Sequence, residues 1–281
     1  MTLAEVSRGA VHVAYGPRYI SEAAISAASV RATNPEIRLG LLTDKIPDQA
    51  HLWDEIWLAP NDEHRGGSKM KLQMHRAPWD QCLFLDTDTL IVGDLSPVFS
   101  VLDRFEFAGV QHSGGLHYSL PGLPSSFLEF NSGVLAWRRE PRVLALFERW
   151  NTLYDELADQ PGRVWDQKSL RLALYESDLR IACLPHGFNV MPYFPAIIEG
   201  EAVVIHGRNH AHLERLRDRL GKDCRLRAYI PGLGVMRHPK ELTWRKTLNM
   251  AARLVAWRMR ASDCGVLAKK SLIPHGNPFR L

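Results

Sequence analysis

Asp86 and Asp88, two aspartates separated by one residue, have the spacing in this chain that most clearly indicates a chemical function. They follow the apolar run 83–85, which is typical of a buried strand. Alternate side chains of a strand point to the same side, so the two carboxylates face together while Thr87 points elsewhere. Such a pair can bind one hard cation, and open α/β sheets bind ligands at the carboxyl ends of their strands. The pair therefore predicts a site for a metal-bound diphosphate.

The segments around this pair alternate between strand and helix patterns. Apolar runs predict strands at residues 11–15, 37–42, 55–58 and 83–86, and helix-spaced apolar residues separate the first two. This βαβ order is typical of a mainly parallel sheet with helices on both faces. Further strands are predicted at residues 89–92, 105–110, 127–137, 181–184 and 202–206, and helices at 142–157 and from Asp166 onward.

Polar side chains recur beside the later elements. Asn131 lies within an apolar strand, Asp166 and Gln167 open a predicted helix, and His206 ends an apolar strand. Each has a structural alternative: Asn131 could satisfy backbone groups at a bulge, Asp166 could cap its helix, and a lone histidine after a strand is often structural. Their recurrence around the aspartate pair favours a shared site.

Five motifs in one order resemble the GT-A fold glycosyltransferases, above all the retaining family 8 group that includes glycogenin and bacterial galactosyl- and glucosyltransferases. The motifs are Lys71-Leu72, 84–95, 130–134, Asp166-Gln167 and His206. The resemblance covers about residues 10–210. It implies a GT-A, Rossmann-like, mixed but mainly parallel sheet flanked by helices. It also implies a hexosyltransferase-like enzyme that transfers a sugar from a nucleotide-diphosphate donor, with UDP-sugars as the first candidates. The implied acceptor is a hydroxyl group of a glycan, a lipid-linked glycan or another molecule, and the anomeric configuration is retained.

The resemblance further implies a metal and a sugar side of the site. Asp86, Asp88 and His206 would bind Mn²⁺ or Mg²⁺, and the one imidazole favours Mn²⁺. Catalytic contacts with the sugar and the anomeric centre are implied for Asn131, Asp166 and Gln167.

Four residues are candidates for contact with the nucleotide and its diphosphate. Lys71 could reach the nucleotide or steady the aspartate pair, and Tyr15 could stack on a base. Thr87 lies between the aspartates, and Arg208 follows His206. The family usually has a glycine three residues after its metal-binding histidine, followed by Lys-Pro-Trp. Here the glycine comes early and the lysine is absent, so Arg208 or His210 would take over the diphosphate contact. A core position for Tyr15 and a solvated position for Lys71 are the alternatives.

Charge divides the chain into two parts. Residues 1–207 hold 18 Lys and Arg against 26 Asp and Glu, whereas residues 208–281 hold 17 against 5. We predict a GT-A domain at 1–215 and a basic, largely helical C-terminal region at 216–281. Residues 242–261 suit an amphipathic helix with Trp244 on its apolar face. Such a helix could contact an anionic membrane, and packing on the domain is the alternative.

Composition agrees with an ordinary soluble domain. The chain has 281 residues, of which 46% are hydrophobic and 23% charged, enough for one large domain with or without an appendage. The first eight residues lack the pattern of a signal peptide, and no stretch of 18 residues is apolar throughout. A cytoplasmic protein is therefore expected, with peripheral contact at the inner face of the membrane as a further hypothesis.

Two other functions fit parts of the sequence. A haloacid-dehalogenase-type phosphatase would use Asp86 as its nucleophile, but this chemistry needs a later acidic pair at another strand end. The only later Asp-x-x-x-Asp pair, Asp155 and Asp159, lies in a helical pattern. A non-catalytic protein could bind nucleic acid through its basic tail, but no aromatic-basic signature accompanies the charge, so nucleic acid is not expected as a partner.

Overall fold

A computed structural model describes residues 6–59, 66–113, 120, 122–158, 166–222, 225–236 and 252. The strands are β1 (Arg8–Ala14), β2 (Arg38–Thr43), β3 (Glu55–Leu58), β4 (Gln81–Leu85), β5 (Thr89–Ile91), β6 (Phe107–Gln111), β7 (Phe130–Arg138), β8 (Ile181–Leu184), β9 (Ala196–Ile198), β10 (Val204–His206), β11 (Arg227–Ile230) and β12 (Gly234–Met236). The α-helices are α1 (Pro17–Thr33), α2 (Gly66–Lys71), α3 (Ser96–Leu102), α4 (Pro141–Ala158), α5 (Asp166–Glu176) and α6 (His210–Leu220).

Seven strands form the main sheet, in the order β3-β2-β1-β4-β7-β6-β8. The first four strands in this order run parallel, β7 runs antiparallel to both β4 and β6, and β8 is parallel to β6. The sheet is therefore mixed and mainly parallel, as predicted. Every strand that the sequence predicts is present, with its ends shifted by a few residues.

Helices cover both faces of this sheet, which explains the continuous apolar runs of its central strands. On one face, Val11 and Phe84 belong to a core cluster that includes Trp150 of α4 and Leu170 of α5. On the other face, residues such as Leu83 pack in a second cluster with α1 and α3. Because both sides of β4 are buried, the chain becomes accessible only where this strand ends, at Asp86.

A short second sheet places His206 beside the aspartates. Strand β5 follows the aspartate pair directly, and β10 pairs with it antiparallel, with His206 opposite Thr89. The sequence separates these residues by more than a hundred positions, but the register of the two strands brings His206 next to the carboxyl end of β4. The third sheet has the order β12-β11-β9.

The described part of the C-terminal region continues the domain rather than leaving it. Helix α6 runs through residue 215, at which the first predicted region ends, and buries three leucines, Leu213, Leu216 and Leu220. Strand β11 then pairs with β9, and β12 pairs with β11. The predicted helix at 242–261 lies outside the described residues apart from Ala252, so the division after residue 215 remains a prediction. Within the described ranges, no helix has the length and apolarity needed to cross a membrane.

Candidate active site

The Asp-Thr-Asp loop (residues 86–88) is fixed by backbone hydrogen bonds at both ends. The Asp86 amide donates to the carbonyl of Gly133 on β7 at 2.8 Å. The carbonyl of Asp88 accepts from the Gly207 amide at 2.8 Å. The loop is thus tied to the main sheet on one side and to the segment after β10 on the other, so the two carboxylates have little freedom to separate.

Asp86, Asp88 and His206 form the predicted metal site. One ligand atom from each residue lies within 4.8 Å of the others, and no other such His, Cys, Asp and Glu group occurs within the described part of the chain. The imidazole Nε2 lies 3.3 Å from Asp88 Oδ1 and 3.8 Å from Asp86 Oδ2. Carboxylate oxygens with one imidazole nitrogen are ligands that a divalent cation such as Mn²⁺ accepts, so these residues fit the ion.

The other ring nitrogen of His206 fixes which nitrogen faces this cluster. His206 Nδ1 lies 3.0 Å from Asn189 Oδ1, and an amide oxygen can only accept a hydrogen bond. Nδ1 must therefore carry hydrogen, which leaves the Nε2 lone pair directed at the carboxylates when the ring is neutral. Metal-binding histidines are commonly held in this way by a hydrogen-bond acceptor on the other nitrogen.

The charges of the cluster shift the pKa values of its members in opposite directions. Burial disfavours the charged form of Asp88, but its hydrogen bond with His206 and the positive charges of His206 and Arg208 lower the pKa of Asp88 to about 2. Burial also disfavours the charged form of His206, but Asp88 and Asp86 outweigh it and raise the pKa of His206. Binding of a metal ion here would therefore compete with protonation of His206 more than with protonation of Asp88.

Lys71 joins the metal side of the site to the predicted catalytic side. Its ammonium lies 2.8 Å from Asp86 Oδ2 and 3.2 Å from Asp166 Oδ2. Ser132 Oγ, 3.2 Å from the ammonium, donates to the same Asp166 oxygen at 2.7 Å. Burial would lower the pKa of Lys71, but the two carboxylates raise it, so the side chain stays charged. Lys71 is therefore paired in the site and not solvated on the helix surface.

Side-chain amides connect the metal side to Gln167. The Asn189 amide donates to Asn131 Oδ1 at 2.8 Å, and the Asn131 amide donates to Gln167 Oε1 at 3.1 Å. Gln167 in turn donates to Glu129. Together with the bond between His206 and Asn189, these contacts form a continuous chain of hydrogen bonds, here called the amide relay (His206, Asn189, Asn131, Gln167 and Glu129).

Two predicted nucleotide contacts are less accessible than expected. Tyr15 is only 8% exposed and belongs to the large core cluster beneath the sheet, which favours the core role over a base platform. Thr87 is buried, and its hydroxyl lies 3.3 Å from Glu22 Oε2 of α1, away from the aspartate carboxylates. Tyr19, which the sequence analysis did not single out, is partly exposed in the first turn of α1.

Arg208 is the exposed cation of the site. Its guanidinium lies 3.7 Å from Asp88 Oδ2 and over the ring of Tyr19, with 5.8 Å between the guanidinium carbon and the ring centre. Asn209 follows in the left-handed conformation, with φ of 81°, and caps α6 by accepting from the His212 amide. Asn209, three residues after His206, thus adopts a backbone conformation that favours glycine.

The amide relay leads to a prediction for Asn189. Asn189→Leu keeps the branched shape and the number of side-chain heavy atoms but removes the acceptor that holds His206 Nδ1, so the imidazole loses its fixed orientation. We expect Mn²⁺ affinity, measured by calorimetric titration, to fall by roughly 10- to 100-fold. Asn34→Leu is the matched control, because Asn34 is also buried but bonds to the backbone of Gly93 and Leu95. Equal Mn²⁺ affinity of Asn189→Leu and wild type would contradict the role of Asn189.

Comparisons with known proteins support the fold. No protein-family model and no curated protein sequence matches the chain. Among solved structures, galactosyltransferase LgtC, in complex with donor and acceptor sugar analogues, is 17% identical over 72% of this chain and 88% of LgtC, with a TM-score of 0.53. Apo glycosyltransferase GlyE of Streptococcus pneumoniae is 14% identical over 92% of this chain and 64% of GlyE, with a TM-score of 0.54. Mouse xyloside xylosyltransferase 1 is 12% identical over 72% of this chain and 98% of its own, with a TM-score of 0.50. The chain therefore has the GT-A fold of glycosyltransferases, as predicted.

Proposed function

We propose that this chain is a metal-dependent glycosyltransferase. It moves a sugar from a nucleotide-diphosphate donor, with UDP-sugars as the first candidates, to a hydroxyl group of a glycan or lipid-linked acceptor, with retention at the anomeric carbon. The observation that carries the proposal is the position of Lys71, which contacts Asp86 of the cation cluster and Asp166 of the predicted catalytic side. A site that joins these two functions at the end of β4 in a GT-A fold suits transfer of a sugar away from a diphosphate.

Different residues of the site would act on the leaving diphosphate and on the sugar, the two groups joined by the bond that breaks. A divalent cation held by Asp86, Asp88 and His206 would offset the negative charge that builds on the leaving diphosphate. Arg208 lies at the rim, more than half exposed, where it can donate to diphosphate oxygens. This contact would replace the one that lysine makes in the resembling family.

The sugar side is formed by residues held in fixed orientations. The amide relay fixes the orientation of Asn131 and Gln167 and leaves each with one side-chain amide hydrogen that could be donated to a sugar hydroxyl. The Asp166 carboxylate is paired with Lys71 and could face the positive charge that develops at the anomeric carbon. These residues would orient the donor sugar and stabilise its transition state, so a substitution there should reduce turnover more than donor affinity.

The same contacts argue against a phosphatase. A nucleophilic carboxylate needs an open approach, but Asp86 is paired with Lys71 and lies beside His206. Asp155, of the later acidic pair, is on α4 and pairs with Lys69, and no second acidic metal cluster occurs among the described residues. The nucleic-acid hypothesis depends on the basic tail, most of which lies outside those residues.

We further propose a cytoplasmic enzyme whose basic C-terminal region, including 242–261, contacts an anionic membrane peripherally. The described helix α6 spans the start of this region and exposes the positive side chains Arg215, Arg217 and Arg219, with Glu214 and Asp218 beside Arg217. Such charge is worth about 1 kcal/mol per basic residue near an anionic lipid surface. Contact with a membrane would bring the site close to a lipid-linked acceptor.

A thermal-shift panel tests the proposed function. Nucleoside diphosphates and their sugar conjugates, with uracil, guanine, adenine, cytosine and thymine bases, are added with and without Mn²⁺. We expect one base to stabilise the protein only when metal is present, by about 2.7 kcal/mol at a ligand concentration 100 times Kd. The absence of a metal-dependent shift across the panel would contradict the proposal. With a donor identified, NMR of the newly formed glycoside determines whether the anomeric configuration is retained.

A further inference from the structure

A second chain of hydrogen bonds approaches the Asp-Thr-Asp loop from inside the core. Trp53 Nε1 lies 3.3 Å from His12 Nδ1, and His12 Nε2 lies 3.0 Å from Ser26 Oγ. Ser26 Oγ is 2.7 Å from Thr89 Oγ1, which lies 2.8 Å from the carbonyl oxygen of Asp86. We name the four side chains the buried relay (Trp53, His12, Ser26 and Thr89); each is at most 5% exposed.

Chemistry fixes the direction of every bond in the buried relay. An indole N–H can only donate, so His12 accepts at Nδ1 and carries its hydrogen on Nε2. His12 then donates to Ser26, whose hydroxyl is free to donate to Thr89. At the far end a carbonyl can only accept, so Thr89 donates to Asp86. Burial lowers the pKa of His12 to about 3, which keeps the ring neutral, as this arrangement requires.

The location of the relay indicates what it does. Its members come from β1, α1, β5 and the segment before β3, in a region otherwise packed with apolar residues. Buried polar side chains cost stability unless all their groups are paired, and here each hydrogen is donated to a partner. Every bond points toward the carbonyl of Asp86, which also accepts from the Thr89 amide at 3.3 Å. The relay therefore closes the turn that sets the separation of the two carboxylates.

We propose that the buried relay is a positioning device, in which Thr89, backed by Ser26 and His12, holds the Asp-Thr-Asp loop in the geometry that binds the metal ion. This inference deepens the proposed function and rests on it for the identity of the ion. None of the relay side chains belongs to the cluster that would bind the ion. They act on the backbone that carries Asp86 and Asp88.

Thr89→Val tests the inference because valine keeps the shape of threonine and lacks the hydroxyl. We expect Mn²⁺ affinity, measured by calorimetric titration of the full chain, to fall about tenfold, the lower end of losses seen for partners of metal ligands. We also expect amide hydrogen exchange of residues 86–89 to accelerate. Thr89→Ser restores the hydroxyl and should recover both properties. Ser26→Ala, which breaks the relay one step earlier, should give an intermediate loss.

Thr43→Val is the matched control. Thr43 is also fully buried, at the end of β2, and its hydroxyl donates to the carbonyl of Lys45 at 3.1 Å, so the substitution removes a comparable bond away from the site. Wild-type Mn²⁺ affinity and wild-type exchange at 86–89 in Thr89→Val would overturn the inference, as would an equal loss in Thr43→Val. If the wild type itself fails to bind Mn²⁺, the proposed metal site is wrong. The exchange at residues 86–89 then decides the inference alone: acceleration in Thr89→Val supports it, and unchanged exchange overturns it.

Discussion

Asp88→Asn should abolish metal-dependent binding of the nucleotide while the fold is retained. Asparagine has nearly the same shape as aspartate, so the loop can keep its backbone bonds, but the cluster loses one of its two negative charges. The pKa of Asp88 is lowered to about 2, so the wild-type residue is ionised at any working pH. We expect Mn²⁺ affinity to fall by more than the roughly 10- to 100-fold caused by loss of a partner of a metal ligand.

Asp94→Asn controls for the loss of a carboxylate close to the same strand. Asp94 is exposed after β5, and its oxygens accept from the amide and hydroxyl of Ser96. This variant should bind Mn²⁺ and nucleoside diphosphate as the wild type does. Calorimetric titration with Mn²⁺ alone, followed by thermal shift with Mn²⁺ and nucleotide, separates the two binding steps. If Asp88→Asn still binds Mn²⁺, the metal site must lie at other residues, and the main support for a metal-dependent transferase is lost.

The strands of this fold could be predicted because local patterns determine them. Apolar runs that end in polar or turn residues indicate the strands of the sheet. The runs in β1 and β4 are the clearest, because these strands are buried on both faces and are therefore apolar at nearly every position. Strands β9, β11 and β12 are not predicted, because each has only three or four residues and none lies in a longer apolar run such as 202–206, which indicates the equally short β10. Helix α6 was missed for a different reason: its charged residues outnumber the three leucines that it buries.

The types and the order of the residues predict most of the candidate site, but they do not predict the residues that hold its side chains in place. Carboxylates after a buried strand and a histidine after another are visible in the sequence, whereas the register of β5 on β10 that joins them is not. Asn189 lies after a short 3-10 turn, and only its polar character within a buried segment could have drawn attention to it. Tyr15 is a candidate because it follows β1, but its side chain packs into the core cluster that includes α4 and α5, a contact that the sequence does not show.

Gly133→Ala should disrupt the metal site without adding or removing any polar group. A Cβ at this position would lie 2.1 Å from His206 Cε1, 2.7 Å from Nδ1 and 2.9 Å from Nε2, all closer than atoms can approach. The imidazole therefore packs directly against the glycine of β7, with Cε1 nearest, and alanine must push it away from Asn189 and the carboxylates. We expect Mn²⁺ affinity to fall at least as far as in Asn189→Leu. Overpacking of this kind costs about 1–3 kcal/mol of stability.

A double-mutant cycle shows whether the effect of Gly133→Ala passes through His206. In a His206→Ala background the ring is absent, so the added methyl group has space and should cost little stability in chemical denaturation. A coupling energy of roughly 0.5–3 kcal/mol is expected between the two positions. Gly109→Ala on β6 is the control, because its Cβ would approach only Phe130 and Leu135, at 3.1 and 3.3 Å. Simple additivity at 133 and 206, or an equal loss of Mn²⁺ affinity in Gly109→Ala, would mean that Gly133 is needed by the sheet and not by the metal ligand.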